Sequence, residues 1–374
     1  MMSRSLSPTR ALLTIAATLV VATACAGPSA GQAPPAAGGD RVGVATGDIT
    51  PLCGTEPIKI ALIDGNGQDP WRRTVRALYE AEVRKCANAE SVDYFDAQGD
   101  AQKYNTAFTT FTAQGYNAIV TFDDFGAAGL GAIRTAFRAG VAVVPYVSDP
   151  GGTPGTDYTA FVNGDKVAVG TGWAQWLKAR MPSGGTVIEM GGSAGNPASA
   201  EWLAGLKAGL AAEAPSVTLA DENFVVTNWA VSETQQATGA IIGRHPDLGA
   251  IALEYGQTLS AVLRAYDAAG RTAPPVVATS STNGTACDFA DYKATHPEFE
   301  LLSYDGLGNT VLPATRKAVA AAAGVPETEP TIVPLTVWFD SAGGVTPACD
   351  RSLPDGADRS TELTDDELRR AFAG

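Results

Sequence analysis

Basic residues and histidines are scarce in this 374-residue chain, and their scarcity excludes several functions. Lysine and arginine total 26 against 40 aspartates and glutamates, which gives a formal net charge of −14. Nucleic acid binding relies on cations that neutralise phosphates, so we expect no nucleic acid partner. The only histidines, His245 and His296, both precede proline, and no cysteine pair has metal-ligand spacing. With no Ser-His-Asp set or metal cluster visible, we expect no enzyme, no metal and no cofactor.

The apolar run near the N-terminus is too short for a membrane-spanning helix. Ala11–Val21 follows Arg4 and Arg10 and leads into ATAC at residues 22–25, which resembles the bacterial lipobox. In that motif the cysteine is lipidated and becomes the new N-terminus after cleavage. We therefore expect residues 1–25 to be a lipoprotein signal peptide and Cys25 to anchor the exported protein at the outer face of the bacterial cell membrane. The alternative is an ordinary secretory signal with a chance cysteine.

Two features of the exported chain follow from composition. Residues 26–56 consist mainly of Gly, Pro, Ala and Ser without periodicity, which predicts a flexible tether. Of the five cysteines, those other than Cys25 form an even set, which in an exported chain indicates two disulfides. Among the possible pairings we favour Cys53–Cys86 and Cys287–Cys349. Free buried thiols are the alternative.

A strand, a loop and a helix then form the unit that the rest of the chain repeats. Ile60–Ile63 reads as a strand buried on both faces, residues 64–67 break it, and a helix begins at Pro70. With 45% hydrophobic residues the chain can bury a large core. Further strands are predicted at 92–95, 118–122, 141–146, 159–162, 186–190, 217–226, 250–253, 276–279, 299–303 and 331–339. Helices are predicted around 104–111, 127–139, 165–180, 200–210, 231–242, 258–269 and 311–323, with a short one at 365–373. The alternation predicts an α/β fold with parallel sheets in two similar lobes.

Three segments of the chain carry a resemblance to a known family. They are IALIDGNGQDPWRRTVRALYEAE, AQKYNTAFTTFTAQGYNAIVTF and PDLGAIALEYGQTLSAVLRAYDAAG. These segments resemble the ribose-type (type I) periplasmic sugar-binding proteins of bacterial ABC importers. The first resembles the family's first strand, sugar loop and helix, the second its second helix and third strand, and the third a further strand and helix of the second lobe. The likeness covers roughly residues 57–340.

The resemblance implies two doubly wound parallel-sheet lobes joined by a three-stranded hinge. The N-terminal lobe would be 57–162 plus 305–325, the C-terminal lobe 163–304 plus 326–345, and residues 346–374 a tail. Such a protein closes on a small polar solute, delivers it to an ABC permease and works as a monomer. A sensory receptor on the same fold, or a carbohydrate-active enzyme, are the alternatives.

The ligand site is expected in the loops at the strand ends, where carboxylates accept hydroxyl protons and aromatic faces cover C–H patches. The candidates are Asp69, Trp71, Arg72, Asp123, Ser148, Asp149, Trp202, Trp229, Glu254, Tyr255 and Asp305. Asp69 can equally cap its helix, and one of the neighbours Asp123 and Asp124 should do the same. Compared with the family, the loops hold fewer arginines and more aromatics. This favours another sugar, a polyol or a cationic solute over ribose.

Overall fold

The structure is a computed structural model that describes residues 47–373. The predicted signal peptide 1–25, Cys25 and the first part of the tether, to residue 46, lie outside the described residues. Within residues 47–373, no helix is long and apolar enough to cross a membrane.

Strands and helices alternate along most of the described chain. The strands are β1 Ile58–Asp64, β2 Ala89–Asp96, β3 Ala118–Phe122, β4 Ala142–Pro145, β5 Asn163–Gly164, β6 Gly185–Gly191, β7 Val217–Leu219, β8 Val225–Val226, β9 Ala250–Leu253, β10 Val276–Thr279, β11 Leu301–Asp305, β12 Ile332–Val333 and β13 Thr336–Asp340. The helices are α1 Pro70–Val83, α2 Ala101–Ala113, α3 Ala127–Arg138, α4 Lys166–Arg180, α5 Pro197–Glu213, α6 Val231–Arg244, α7 Leu259–Ala268, α8 Asn283–Thr295, α9 Val311–Ala323 and α10 Asp365–Phe372.

The first α/β unit is a parallel sheet of order β2-β1-β3-β4 with helices on both faces. The inner strand β1 is buried on both sides, as its continuous apolar sequence predicts. Ile60 and Leu62 join the apolar cluster that holds Val75 of α1, whereas Ile63 joins Phe108 of α2 on the opposite face. Helix α9, far along the chain, also packs on β3 and β4 of this unit.

The second α/β unit is a sheet of order β13-β11-β10-β9-β6-β7, with β8 also paired to β6. All its pairs are parallel except β11–β13. Helices α4 to α8 flank it, and α4 and α5 lie against each other through glycines. A Cβ atom at Gly170 would lie 2.1 Å from the backbone oxygen of Gly205, so only glycine permits this close packing.

Three chain segments connect the two units. They run from β4 to α4, from β11 to α9, and from α9 back to β13. In the first and third segments β5 and β12 pair in parallel and form a small separate sheet. These segments lie near the crossovers expected at 162–164, 304–306 and 324–330. The lobe boundaries drawn from them stay a prediction.

Several local predictions are corrected. Residues 159–162, predicted as a strand, form only an isolated bridge at Val162. The predicted strand 217–226 is split at a polar turn into β7 and β8, and Pro334 separates β12 from β13. Helix α8 is absent from the predicted elements. A capping box between Thr282 and Thr285 begins this helix.

Both ends of the described chain are better ordered than composition predicts. Ile49, assigned to the tether, is fully buried in the core of the first unit, and a short 3₁₀ helix follows it at Thr50–Leu52. Residues 346–373, assigned to a tail, include Leu353, Ala357 and Leu368, all at most 5% exposed. Both predicted disulfides are confirmed: the Cα atoms are 5.6 Å apart in Cys53–Cys86 and 4.6 Å apart in Cys287–Cys349.

Two glutamates interact inside the second unit. Glu189 lies opposite Ala252 in the β6–β9 pair, and Glu254 lies two residues beyond on the same face. Burial, and then the charge of Glu254, raises the pKa of Glu189 well above its ordinary value. Burial also raises the pKa of Glu254, although hydrogen bonds from Glu189 and two other donors oppose that rise. The folded protein therefore favours the protonated form of Glu189.

The substitution Glu189→Gln should change how stability depends on pH. In the unfolded chain this carboxyl group ionises around its ordinary pKa of 4.5, whereas in the folded protein it stays protonated. The folded state then binds more protons above that pH, so the free energy of unfolding of the natural protein falls as pH rises. Glutamine cannot ionise, so the variant lacks this loss. As the pH rises, its free energy of unfolding should therefore increase relative to that of the natural protein, by at most about 1.4 kcal/mol per pH unit.

Urea unfolding between pH 5 and pH 8 measures this difference. Glu90→Gln, at an exposed position in β2, is the matched control and should leave the pH dependence unchanged. A stability difference between Glu189→Gln and the natural protein that stays constant over this range would contradict the protonated state of Glu189.

Candidate functional site

A pocket lies between the carboxyl ends of the two sheets and holds a cavity of about 40 Å³. Its lining consists of aromatic, charged and small side chains from both units: Asp69, Trp71, Arg72, Phe122, Val147, Ala198, Trp202, Trp229, Glu254, Tyr255, Ser280 and Leu307. Seven of the eleven predicted ligand residues are therefore found together.

Arg72 is the cation of the pocket wall, and carboxylates of the first unit surround it. Its guanidinium is 2.5 Å from Asp64 and 3.2 Å from Asp124, and its Nε lies 3.7 Å from Asp69. It also lies over the ring of Phe122, 3.5 Å from the centroid. Although burial opposes it, this charge environment raises the pKa of Arg72 well above its ordinary value. Arg72 is thus already neutralised and has little charge left for an anionic ligand.

The position of these carboxylates follows from local structure. Asp64 is the last residue of β1, and Asp124 comes two residues after β3. Asp69 caps α1, because its side chain accepts the backbone N–H of Arg72. Burial raises the pKa of Asp124 to about 6, and the charge of Arg72 limits that rise. Both roles considered for Asp69, helix cap and pocket residue, therefore apply.

Tryptophans form much of the wall. Trp71 is 5% exposed, stacks on Tyr146 with ring centroids 6.5 Å apart, and leaves its indole N–H without a hydrogen-bond acceptor. Trp202 stacks on Trp173, with ring centroids 5.6 Å apart. Trp173 itself is fully buried, as expected for a core residue. The Trp71 indole N–H is thus a buried donor without an acceptor, which is rare in folded proteins.

Trp229 is held in the pocket by a strained turn. Asn228 and Trp229 both adopt positive φ values, 48° and 53°, which side-chain-bearing residues rarely do. The indole N–H donates to Glu254, 3.3 Å away. At Gly192 a Cβ atom would lie 2.4 Å from the indole ring, so the ring can lie against the backbone only because this residue is glycine. Such strain is typical of functional sites.

Glu254 joins several parts of the second unit. Besides the Trp229 indole, its carboxylate accepts the hydroxyl proton of Ser199 at 2.6 Å, and Ser199 accepts the N–H of Gly192 at 2.9 Å. Glu254 is only 3% exposed, and its buried position beside the protonated Glu189 fixes it in place. It can therefore present a rigid acceptor at the floor of the pocket.

Polar contacts cross the pocket from one unit to the other. The Tyr255 hydroxyl donates to Asp69 at 2.9 Å and accepts the backbone N–H of Trp71 at 3.3 Å. The Asn196 side chain donates to Asp124 at 3.3 Å. These contacts hold the two units together around the pocket, in the arrangement expected of a closed binding protein.

Three predicted residues that follow β3 or β4 do not line the pocket. Asp123, chosen over Asp124, is fully buried and accepts the backbone N–H of Phe125 at 2.7 Å, and burial raises its pKa to about 7. Asp124 is the neighbour that reaches Arg72, but it does not line the pocket either. Ser148 donates its hydroxyl proton to the backbone oxygen of Asp123, and the exposed Asp149 accepts the N–H of Gly151.

Asp305 also lies outside the pocket lining. It is 1% exposed and accepts the backbone N–H of Ser281 and the hydroxyl proton of Ser303. Burial raises its pKa well above the ordinary value. These bonds tie the end of β11 to the loop after β10, so Asp305 supports the crossover rather than the pocket.

The remaining lining residues were not among the candidates: Phe122, Val147, Ala198, Ser280 and Leu307. Four of them lie at or within two residues of a strand end. That position is the sequence feature that could have identified them as pocket residues. Val147 and Ser280 also have positive φ values, 62° and 54°, which only the backbone coordinates show.

The chemistry of the pocket favours a neutral or cationic polar solute. Its carboxylates outnumber its one arginine, and its aromatic faces suit C–H groups or a positive charge. Among residues 47–373, no group of three or more His, Cys, Asp or Glu is placed to hold a metal ion.

Comparisons with known proteins agree with this architecture. The profile of the family described as "Periplasmic binding protein domain" matches residues 60–293. The Caulobacter myo-inositol binding protein is 19% identical, with a TM-score of 0.65 over 78% of this chain and 97% of that chain. A Mycobacterium smegmatis protein in complex with β-D-fucofuranose is 18% identical, with a TM-score of 0.65 over 76% and 92%.

The arabinose ABC transporter's binding protein from Shewanella sp. ANA-3 is 16% identical, with a TM-score of 0.63 over 75% and 90% of the two chains. No curated protein matches the chain. At these identities the solved structures establish the fold, and the predicted type I periplasmic binding protein fold is confirmed. Because the family profile covers more than half of the sequence, this chain belongs to the periplasmic binding protein family, whose members bind solutes and are not enzymes.

Proposed function

We propose that this protein is the extracytoplasmic receptor of an ABC importer and binds one neutral sugar or polyol between its two units. The observation that carries the proposal is the pocket, in which indole faces and carboxylates from both units converge. Structural neighbours of the same fold bind sugars or myo-inositol according to their descriptions. Their likeness supports the solute class but does not identify the solute.

The pocket's polar groups match the hydroxyls of such a solute. Glu254 is a buried acceptor for a hydroxyl proton, and the Trp71 indole N–H is a donor without an acceptor. Trp202 and Trp229 can cover the C–H faces of a ring. Since Arg72 is already paired with carboxylates, a phosphorylated or carboxylated sugar would lack a free cation and would be repelled.

The cellular role is part of the same proposal. The two lobes would comprise residues 57–162 plus 305–325 and residues 163–304 plus 326–345, closing on the solute by a hinge motion. The closed monomer would dock on a membrane permease and release its cargo. The tether and a lipid on Cys25 would keep it at the outer face of the cell membrane.

A binding screen tests the solute class. We expect at least one of myo-inositol, D-arabinose and D-galactose to raise the melting temperature and to give a calorimetric binding curve. A bound solute at about 100 times its Kd stabilises by about 2.7 kcal/mol, which is a measurable shift. Glucose 6-phosphate, the anionic control, should give none. Choline is included as a cationic probe, and its binding alone would indicate a cationic solute in place of a sugar. Binding of glucose 6-phosphate alone would refute the argument that the paired Arg72 leaves no free cation for an anionic solute.

Removing the Trp229 ring should weaken binding of the best solute from that screen. We expect Trp229→Ala to reduce affinity by ~1–3 kcal/mol, because a stacking face and a support of Glu254 are both lost. Isothermal titration calorimetry measures the change. Trp176→Ala is the control, since that indole packs in the second unit and donates to Asp340 away from the pocket. Equal affinity losses in both variants would assign Trp229 a structural role.

The lipid anchor is tested by the substitution Cys25→Ser. If Cys25 carries the lipid, the natural protein should fractionate with membranes and the variant should not. Mass spectrometry of the N-terminal peptide then shows whether a diacylglycerol group is present. A natural protein without this modification would indicate an ordinary secretory signal.

A further inference from the structure

The C-terminal segment, residues 346–373, is polar in composition, yet parts of it are buried, chiefly residues 357–361. We call it the C-terminal strap. Asp358, Ser360 and Thr361 are each at most 2% exposed, and Leu363 and Leu368 are at most 3% exposed. A segment of this composition normally stays in solvent, because it has little apolar surface to bury. Its burial therefore depends on specific contacts.

At its start the strap is fixed to helix α8 of the second unit. The disulfide Cys287–Cys349 forms the covalent link. Beside it, the Asn283 side chain donates to the backbone oxygen of Asp350 at 2.7 Å and accepts its N–H at 2.9 Å. The backbone N–H of Asn283 also donates to Ala357 at 2.9 Å. The strap therefore moves with the second unit.

In its middle the strap contacts the crossover that follows β11. Gly306 donates its backbone N–H to the Ser360 hydroxyl at 3.0 Å. The Asn309 side chain donates to the Ser360 backbone oxygen at 3.2 Å and accepts the N–H of Glu362 at 3.1 Å. Gly306 has a φ of 97°, a conformation that favours glycine, so the chain turns sharply at this contact. The strap thus lies on one of the three connections between the units.

At its end the strap reaches the N-cap and first turn of α1, residues 69–72, which we call the ligand loop. Helix α10 packs on α1, and Leu368 belongs to the same apolar cluster as Trp71. A Cβ atom at Gly356 would lie 2.5 Å from the Cβ of Pro70, so the strap backbone touches this loop directly. A Cβ atom at Gly308 would lie 3.3 Å from Thr361 and 3.7 Å from the Trp71 indole nitrogen. The strap therefore stands directly behind the pocket wall.

We infer that the C-terminal strap is part of the binding machinery: anchored to the second unit by Cys287–Cys349, it holds the ligand loop in its binding geometry and limits how far the two units move apart. The binding role rests on the proposed function. The second role, limiting the separation of the two units, does not rest on the proposed function, because it concerns the protein without solute. A chain that contacts both units and their connection must break one set of contacts when the units separate.

The backbone amide of Trp71 reports on this role. It donates across the pocket to the Tyr255 hydroxyl and has no bond to the strap. A segment that only covers the surface would leave its hydrogen exchange unchanged. If the strap restrains the two units, releasing it should change the exchange rate of the Trp71 amide.

Two variants of the full-length chain release the strap in different ways, and hydrogen exchange without solute measures the result. Cys287→Ser with Cys349→Ser removes the anchor, and Gly356→Val forces a side chain between the strap and Pro70. In both we expect exchange at Trp71 to accelerate at least ten-fold, while amides of the central strand β9 keep their rates. The matched controls are Cys53→Ser with Cys86→Ser, and Gly239→Val, whose Cβ atom would enter open space.

Each outcome decides the inference. Faster exchange at Trp71 in the strap variants, and not in the controls, supports it. Fast exchange confined to the strap itself overturns it and leaves the segment as a cover. If the cysteine variant fails to fold, Gly356→Val decides alone. The solute screen can fail while this experiment succeeds, so the two proposals are separable.

Discussion

The buried charge cluster around Arg72 is the constraint on which the binding site depends. A guanidinium taken out of water is unfavourable unless carboxylates and hydrogen bonds replace its solvent. Asp64, Asp69 and Asp124 supply them from the end of β1, the cap of α1 and the loop after β3. Three separate segments must therefore converge on one side chain. Their convergence gives the first unit's half of the pocket a single geometry.

The same cluster connects the first unit to the second. Asp124 and Asp69, besides their contacts to Arg72, accept hydrogen bonds from Asn196 and Tyr255 of the second unit. The closed arrangement therefore involves charges that are already fixed in the first unit. A solute that contacts Trp71 on one side and Trp229 on the other would add its own interactions to this arrangement, and only in the closed form. That difference in contacts is what a ligand needs in order to shift an equilibrium between open and closed states.

Where the site lies was predictable from the sequence, because parallel strands place their carboxyl ends on one edge of each sheet. β3, β9, β10 and α9 have the bounds that their apolar patterns predict. Which side chain at a strand end faces the pocket was not predictable. Asp123 and Asp124 are adjacent carboxylates, and either can cap or point inward. The backbone direction after β3 decides between them, and it depends on packing against Gly129, where a Cβ atom would lie 2.5 Å from Asp123.

The ordered C-terminus was missed for a related reason. Composition predicts burial when a segment has apolar surface of its own, but the strap is held largely by hydrogen bonds to Asn283, Gly306 and Asn309. Those partners are themselves placed by α8 and by the turn after β11, so the strap's contacts depend on the fold of other segments. Ordering costs roughly 1–2 kcal/mol of backbone entropy per residue, which such bonds alone scarcely offset. The disulfide to Cys287 reduces that cost, because it confines the segment near its partners even when the contacts are broken. A covalent anchor combined with polar, separable contacts is what a restraint needs if it is to yield and re-form as the two units open and close.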